Sequence, residues 1–296
     1  MARLPHRPPG LRGRFFDGPA AVAAGLISRT QLQGKAWRRL VRGVYADASL
    51  PVTHELRCRA VAAHLLPDGG AIAGRSAATL LGPGLARPAE PVEVITPEAG
   101  RPRVRDVIAH AGHLDAAERC VIKGIPVTTP LRTCWDLTQW LDPIEAVVLL
   151  DRIVRAGFVN EATLSAHAAA RRGAYGSVRF ARTVGLVDGR AESPQESRLR
   201  VMMVLAGLPT PQVQWKIYDA AGFIARVDLA YPDLRVAIEY DGVWHASADQ
   251  LNHDRDRLNR LQAAGWLVIH VTAARLYAPE PLLHEITGAL ATRRPR

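Results

Sequence analysis

Lysine is almost missing from this chain. Of 38 basic residues only Lys35, Lys123 and Lys216 are lysine, and the remainder are arginine. Cysteine is equally scarce: Cys58, Cys120 and Cys134 are odd in number, far apart and without CxxC spacing, which excludes a disulfide framework or a zinc knuckle and points to a reducing compartment. No apolar run reaches the roughly 18 residues that a membrane span needs. The opening residues, MARLPHRPPGLRGRFF, are broken by proline and hold no signal-peptide apolar segment. The expectation is a cytoplasmic protein with no membrane partner. Acidic residues are the minority, 28 against the 38 bases, for a formal charge of +10. A polyanion is therefore the expected class of partner. The positive charge is concentrated early: residues 1–50 hold nine Arg or Lys against Asp17 and Asp47 alone. At 296 residues and 48% hydrophobic content, the chain has room for two or three domains, each with its own core.

The stretch richest in chemistry is FIARVDLAYPDLRVAIEYDGVWHASADQLNHDRDR, residues 223–257. Val227, Leu229 and Tyr231 alternate with Arg226, Asp228 and Ala230; Val236, Ile238 and Tyr240 alternate with Ala237, Glu239 and Asp241. This period of two, interrupted by Pro232-Asp233-Leu234-Arg235, predicts a β-hairpin. If Tyr231 and Val236 close the turn, Asp228 lies opposite Glu239 with Cβ atoms roughly 5 Å apart. Asp241 follows two residues along. Carboxylates that close repel and call for a cation. Mg²⁺ or Mn²⁺ suits them, since such hard ions take one or two carboxylates together with water and phosphate oxygens. The plainer reading is a solvated hairpin face, which alternating charges often form. His245 comes four residues after Asp241, and a helix predicted over residues 249–264 sets Asp254 on an apolar stripe with Leu251, Leu258 and Leu261. A carboxylate there needs a partner, and Arg257, one turn on, is the candidate.

Taken in order, residues 1–16 read as an irregular basic arm. Over residues 17–50, Asp17 and Ser28 cap two short helices, and Trp37 to Tyr45 form a β-ribbon, which together make a small winged helix-turn-helix. Arg29, Thr30, Gln31 and Gln33 would sit on its second helix, with Lys35 beyond and Arg38, Arg39 and Arg42 on the wing, placed for DNA bases or phosphates. Residues 51–172 read as a mixed α/β domain with a helical tail, in which Ser76 caps a helix that Gly82 ends. Residues 173–190 read as a linker region that opens into a further helix, which Asp188-Gly189-Arg190-Ala191 separates from a last α/β domain over 191–296. There Ser193-Pro194-Gln195-Glu196 is a helix start. Glu196 either closes that cap or reaches the hairpin carboxylates as a further ligand.

Two resemblances follow from these motifs. The RGVY ribbon, the RSAATLLG helix, the VEVITP strand and VTTPLRTCWDL are similar to the AbiEi-type antitoxin and transcriptional-regulator family over roughly residues 17–155. That implies DNA binding by the winged helix, with the next domain serving protein contacts or bridging DNA-bound copies. SPQESRLR, AGLPTPQVQ, VDLAYPDLRVAIEYDGVWH and DRDRLNRLQAAGWLVIHV resemble the Vsr-like branch of the PD-(D/E)XK nuclease superfamily, implying an αβββαβα restriction-endonuclease-like domain. By this resemblance Asp228 is the first metal-binding aspartate and Glu239 the acidic residue of the (D/E)xK element. Asp241 stands where that element has lysine, and His245 becomes the candidate base. Asp254 and Arg257 match the later helix. The expected whole is a multidomain α/β protein hydrolysing DNA phosphodiesters with Mg²⁺ or Mn²⁺ held by Asp228, Glu239 and Glu196. A DNA-binding regulator or antitoxin on a non-catalytic nuclease fold is the alternative.

Overall fold

A computed structural model describes residues 7–82, 86–97, 102, 104–242 and 248–293, with side chains in the helix that starts at Ala248 described from residue 255. The chain is a mixed α/β protein in two compact units, Met1–Trp140 and Leu141–Arg296.

The first unit opens with strand β1 (Phe15–Asp17) and helices α1 (Gly18–Ala23) and α2 (Arg29–Leu32). Strands β2 (Trp37–Val41) and β3 (Val44–Asp47) complete a sheet of order β1-β3-β2. The Asp17 side chain accepts from the Ala20 N–H, and Ser28 with Gln31 closes a reciprocal cap on α2. The segment expected to be an irregular arm is ordered over its described part. Leu11 is buried, Phe15 pairs with Ala46, and Phe16 packs edge-on against Trp37 at 5.1 Å. Two adjacent phenylalanines supply enough apolar area to hold a short strand whose alternation is too brief to read from sequence.

After α3 (His54–His64), β4 (Ala71–Ile72), α4 (Gly74–Leu81), β5 (Val92–Thr96), β6 (Val107–Ala111), β7 (Arg119–Ile122), β8 (Ile125–Thr128) and α5 (Pro130–Trp140) build a five-stranded sheet of order β6-β5-β4-β8-β7. Ile72, Val92, Val94 and Val127 are fully buried in its core. Ser76 does not cap α4. The helix starts two residues earlier, at Gly74, and Ser76 is buried within it, bonded to His54 Nε2 at 2.8 Å and to the Glu93 N–H.

The second unit begins with helices α6 (Pro143–Arg155), α7 (Glu161–Ala170) and α8 (Ser177–Val184). These include the helical tail expected to end the middle domain. The further helix expected in the linker region is α8, with Phe180 fully buried. What joins this segment to the last domain is a buried polar centre: Asp151 of α6 accepts from Ser197 at 2.6 Å and from Arg200 at 2.8 Å, both on α9 (Pro194–Leu205).

Beyond α9 run β9 (Gln212–Asp219), β10 (Gly222–Tyr231), β11 (Val236–Tyr240), α10 (Ala248–Ala263), β12 (Leu267–Val271), α11 (Ala273–Tyr277) and α12 (Pro279–Arg293). The sheet order is β12-β11-β10-β9, antiparallel except for the parallel β11–β12 pair. Tyr231 pairs with Val236 and Leu229 with Ile238, the predicted hairpin register. Arg235 takes the left-handed turn position at φ 49°. Leu199 and Met203 of α9 and Ile286 and Leu290 of α12 share one apolar cluster with Leu229 and Ile238; Leu261 of α10 shares another with Ala230 and Ala237. The side of the hairpin that carries Asp228 and Glu239 is thus covered by a helix, which removes the solvated-face reading.

Candidate functional site

Continuing the β10–β11 register by one pair sets Asp228 opposite Glu239, and β12 places His270 beside Glu239 on the other flank. On β9 the register carries Gln214 to Asp228 from the opposite edge. A row therefore crosses all four strands: Gln214, Asp228, Glu239, His270.

Each member is held differently. Asp228 accepts a hydrogen bond from the Tyr240 N–H at 2.8 Å. Burial pushes its carboxyl up to about 6; the Tyr240 N–H opposes this, and the negative charges of Glu196 and Glu239 push it further up. Glu196, at the first turn of α9, is buried. Its own N–H is capped by Ser193, while its carboxylate accepts from the Glu192 N–H at 2.9 Å and from the Gln214 amide at 2.8 Å. The Gln214 amide also donates to Asp228 at 3.4 Å, so one amide bridges Glu196 to the hairpin while the Glu192 N–H bond ties Glu196 to its own helix start.

Gln214 went unnoticed in the sequence. It sits within a strand at φ 54°, a left-handed conformation costing a residue with a Cβ about 1–2 kcal/mol. A neutral amide between two carboxylates is the feature that this conformation accompanies.

Glu239 is 8% exposed, and both its oxygens accept from Arg257, at 2.7 and 3.0 Å. This two-bond grip arises because α10 crosses the hairpin with Arg257 above Glu239, and the expected pairing of Arg257 with Asp254 falls on a side chain outside the described residues. The Asp254 side chain and the whole of His245 lie outside the described residues. Asp241, beyond the end of β11, turns to His270, whose Nδ1 lies 3.1 Å from its Oδ1. His270 was also missed, because only the parallel pairing of β12 with β11 brings it to the row.

Among the described residues no three His, Cys, Asp or Glu side chains form a cage for one metal ion. Asp228 and Glu196, bridged by one amide, are the pair whose donors suit a hard cation. Their crowded negative charge favours a proton on Asp228, and a cation would relieve the same repulsion.

In the first unit Arg29, Thr30, Gln31, Gln33, Lys35, Arg38, Arg39 and Arg42 are all exposed. A register shift between Arg39 and Val41 leaves Arg38 and Arg39 both outward on the edge strand β2. Gln31 departs from expectation: its side-chain oxygen accepts from the Ser28 N–H at 2.7 Å, so the amide is spent on the cap. No described helix is long and apolar enough to cross a membrane.

No protein-family model matches the chain. Two proteins of Mycobacterium tuberculosis, "Uncharacterized protein Rv2248" of strain H37Rv and "Uncharacterized protein MT2308" of strain CDC 1551, are each 33% identical to it over 151 residues, or 51% of this chain. The chain spans about half the length of these curated relatives, 56% in each. The crystal structure of RV2827C protein from Mycobacterium tuberculosis is similar with a TM-score of 0.38 and 17% identity, covering 70% of this chain and 78% of that one.

Proposed function

We propose that this protein is a metal-dependent DNA endonuclease. Its second unit carries a restriction-endonuclease-like phosphodiesterase site, and a winged helix-turn-helix in the first unit grips DNA. The observation that supports this best is the Asp228 carboxyl, pressed between Glu196 and Glu239 and holding its proton up to about pH 6. Crowding of that kind is costly in a mere scaffold and useful in a cation site. Asp228 and Glu196 would hold Mg²⁺ or Mn²⁺. When bound, the ion supplies a Lewis acid for the phosphodiester and a water of lowered pKa. Arg257 fixes the Glu239 carboxylate, and Gln214 keeps Glu196 and Asp228 together. His270, oriented by Asp241, is an imidazole able to take a proton at the row's edge. Arg29, Lys35, Arg38, Arg39 and Arg42 would meet phosphates. The domain between serves protein contacts or bridges DNA-bound copies.

A second reading, a DNA-binding regulator or antitoxin on a non-catalytic nuclease fold, draws on the two-bond Arg257–Glu239 pair, which engages both oxygens of that carboxylate. Incubating supercoiled plasmid with the protein and Mg²⁺ or Mn²⁺, beside Asp228→Ala, separates the two. Nicking or linearisation lost in the variant supports the nuclease. Tight DNA binding with no cutting on any substrate supports the regulator.

A further inference from the structure

The β9–β10 hairpin runs on past the carboxylates, and its outer residues are not those of an ordinary solvated strand. Arg226 lies two residues from Asp228 along β10. Arg226 pairs in register with Lys216, and Tyr218, two residues further along β9, pairs with Phe223. The Tyr218 and Phe223 rings meet edge to face, 5.7 Å apart at 70°. Tyr218 is 60% and Phe223 51% exposed, whereas the intervening Ile217, Ile224 and Ala225 are buried with Leu261. The hairpin has thus already supplied its core residues, and packing leaves the two outward rings without a task. Lys216 and Arg226 are exposed too. Arg226 is steadied by Glu192 at 2.7 Å, and no ion pair joins Lys216 among the described residues. Asp219, the acid nearest these rings, is matched by Arg260 through two hydrogen bonds. Along the hairpin the order is carboxylate, two cations, two rings.

We propose that this track is a stacking platform for a single-stranded or locally unpaired stretch of nucleic acid. Tyr218 and Phe223 receive bases, while Lys216 and Arg226 receive the phosphates that lead toward Asp228. The inference deepens the phosphodiesterase reading and rests on it for the direction of the track. Unpaired bases are favoured over a duplex because a ring stacks only on a base whose π-face is free, and such stacking tolerates any sequence. A duplex would offer these rings its backbone alone.

The test is fluorescence anisotropy with a labelled 20-nucleotide oligo-dT and, separately, a blunt 20-base-pair duplex, using the full chain carrying Asp228→Asn so that nothing is cut. Adding Tyr218→Ala with Phe223→Ala should weaken oligo-dT binding at least tenfold and duplex binding less than twofold. Tyr218→Leu with Phe223→Leu, which keeps apolar bulk and the fold but no ring, should weaken oligo-dT binding similarly. Unchanged oligo-dT affinity in the leucine variant would overturn the proposal. So would a loss of self-association, seen by sedimentation, in place of any loss of oligo-dT affinity. Because binding is the readout, failure of the wild-type chain to cleave DNA would count against the nuclease reading and leave this result to be judged separately.

Discussion

At neutral pH the Asp228 carboxyl is ionised where burial and two neighbouring carboxylates resist its charge. Its proton affinity is raised from the ordinary 3.8 to about 6 in the folded protein. Between those values the folded state holds a proton that the unfolded chain has released. The contribution to stability is therefore complete below about pH 4 and is lost as pH rises through about 6. Two pKa units correspond to about 3 kcal/mol at most, and the partial exposure of Asp228 brings the expected effect to about 1–2 kcal/mol. Asn keeps the acceptor for the Tyr240 N–H and carries no charge. Asp228→Asn should thus be more stable than the wild type by about 1–2 kcal/mol at pH 7.5, with the difference vanishing near pH 4. Urea unfolding followed by far-ultraviolet circular dichroism, with EDTA present to strip cations, measures both. A variant no more stable than the wild type at pH 7.5, or one whose advantage is the same at both pH values, would refute the reasoning.

Other outcomes follow from the same contacts. Arg200→Met strands Asp151 without its cation in the core of the second unit, and should cost about 3 kcal/mol or more in urea unfolding; a loss under 1 kcal/mol would contradict the burial of that pair. Arg257→Gln removes two charged hydrogen bonds from the nearly buried Glu239 and should cost about 2 kcal/mol by the same assay. Added Mn²⁺ should raise the unfolding midpoint of the wild type and leave that of Asp228→Asn in place, since a cation stabilises only the fold that binds it. If the exposed Arg29, Lys35, Arg38, Arg39 and Arg42 all meet phosphates, duplex affinity should fall with salt at a log–log slope of about −4.5. A slope shallower than about −1 in an anisotropy titration would remove that segment from the interface.

The hairpin was legible in the sequence because its period of two and its Pro-Asp turn fix one register, and one register fixes which carboxylates face each other. The start of α9 was legible for a similarly local reason, a serine cap followed by proline. What escaped depended on distant pairing or on uncoded backbone. His270 joins the site only because β12 adds in parallel to β11, some thirty residues after Glu239. Gln214 holds a left-handed conformation that glycine or asparagine would have signalled and glutamine does not. The grip of Arg257 on Glu239 depends on how α10 crosses the hairpin, whereas helical spacing pointed only to its neighbour Asp254. The packing of α6 on α9 was not legible either, because the apolar stripe of α6 shows that this helix is packed without saying against what; the Asp151–Arg200 pair decides that.

The central claim, that Asp228 works as an ionised carboxylate on a DNA phosphodiester, is tested most directly by the single-turnover cleavage rate of a labelled oligonucleotide with Mn²⁺ across pH 4.5 to 8. The account predicts cleavage that rises as Asp228 loses its proton, levels off above about pH 6, and is absent from Asp228→Asn at every pH. Equal cleavage by the variant, or none by the wild type at any pH, would contradict it.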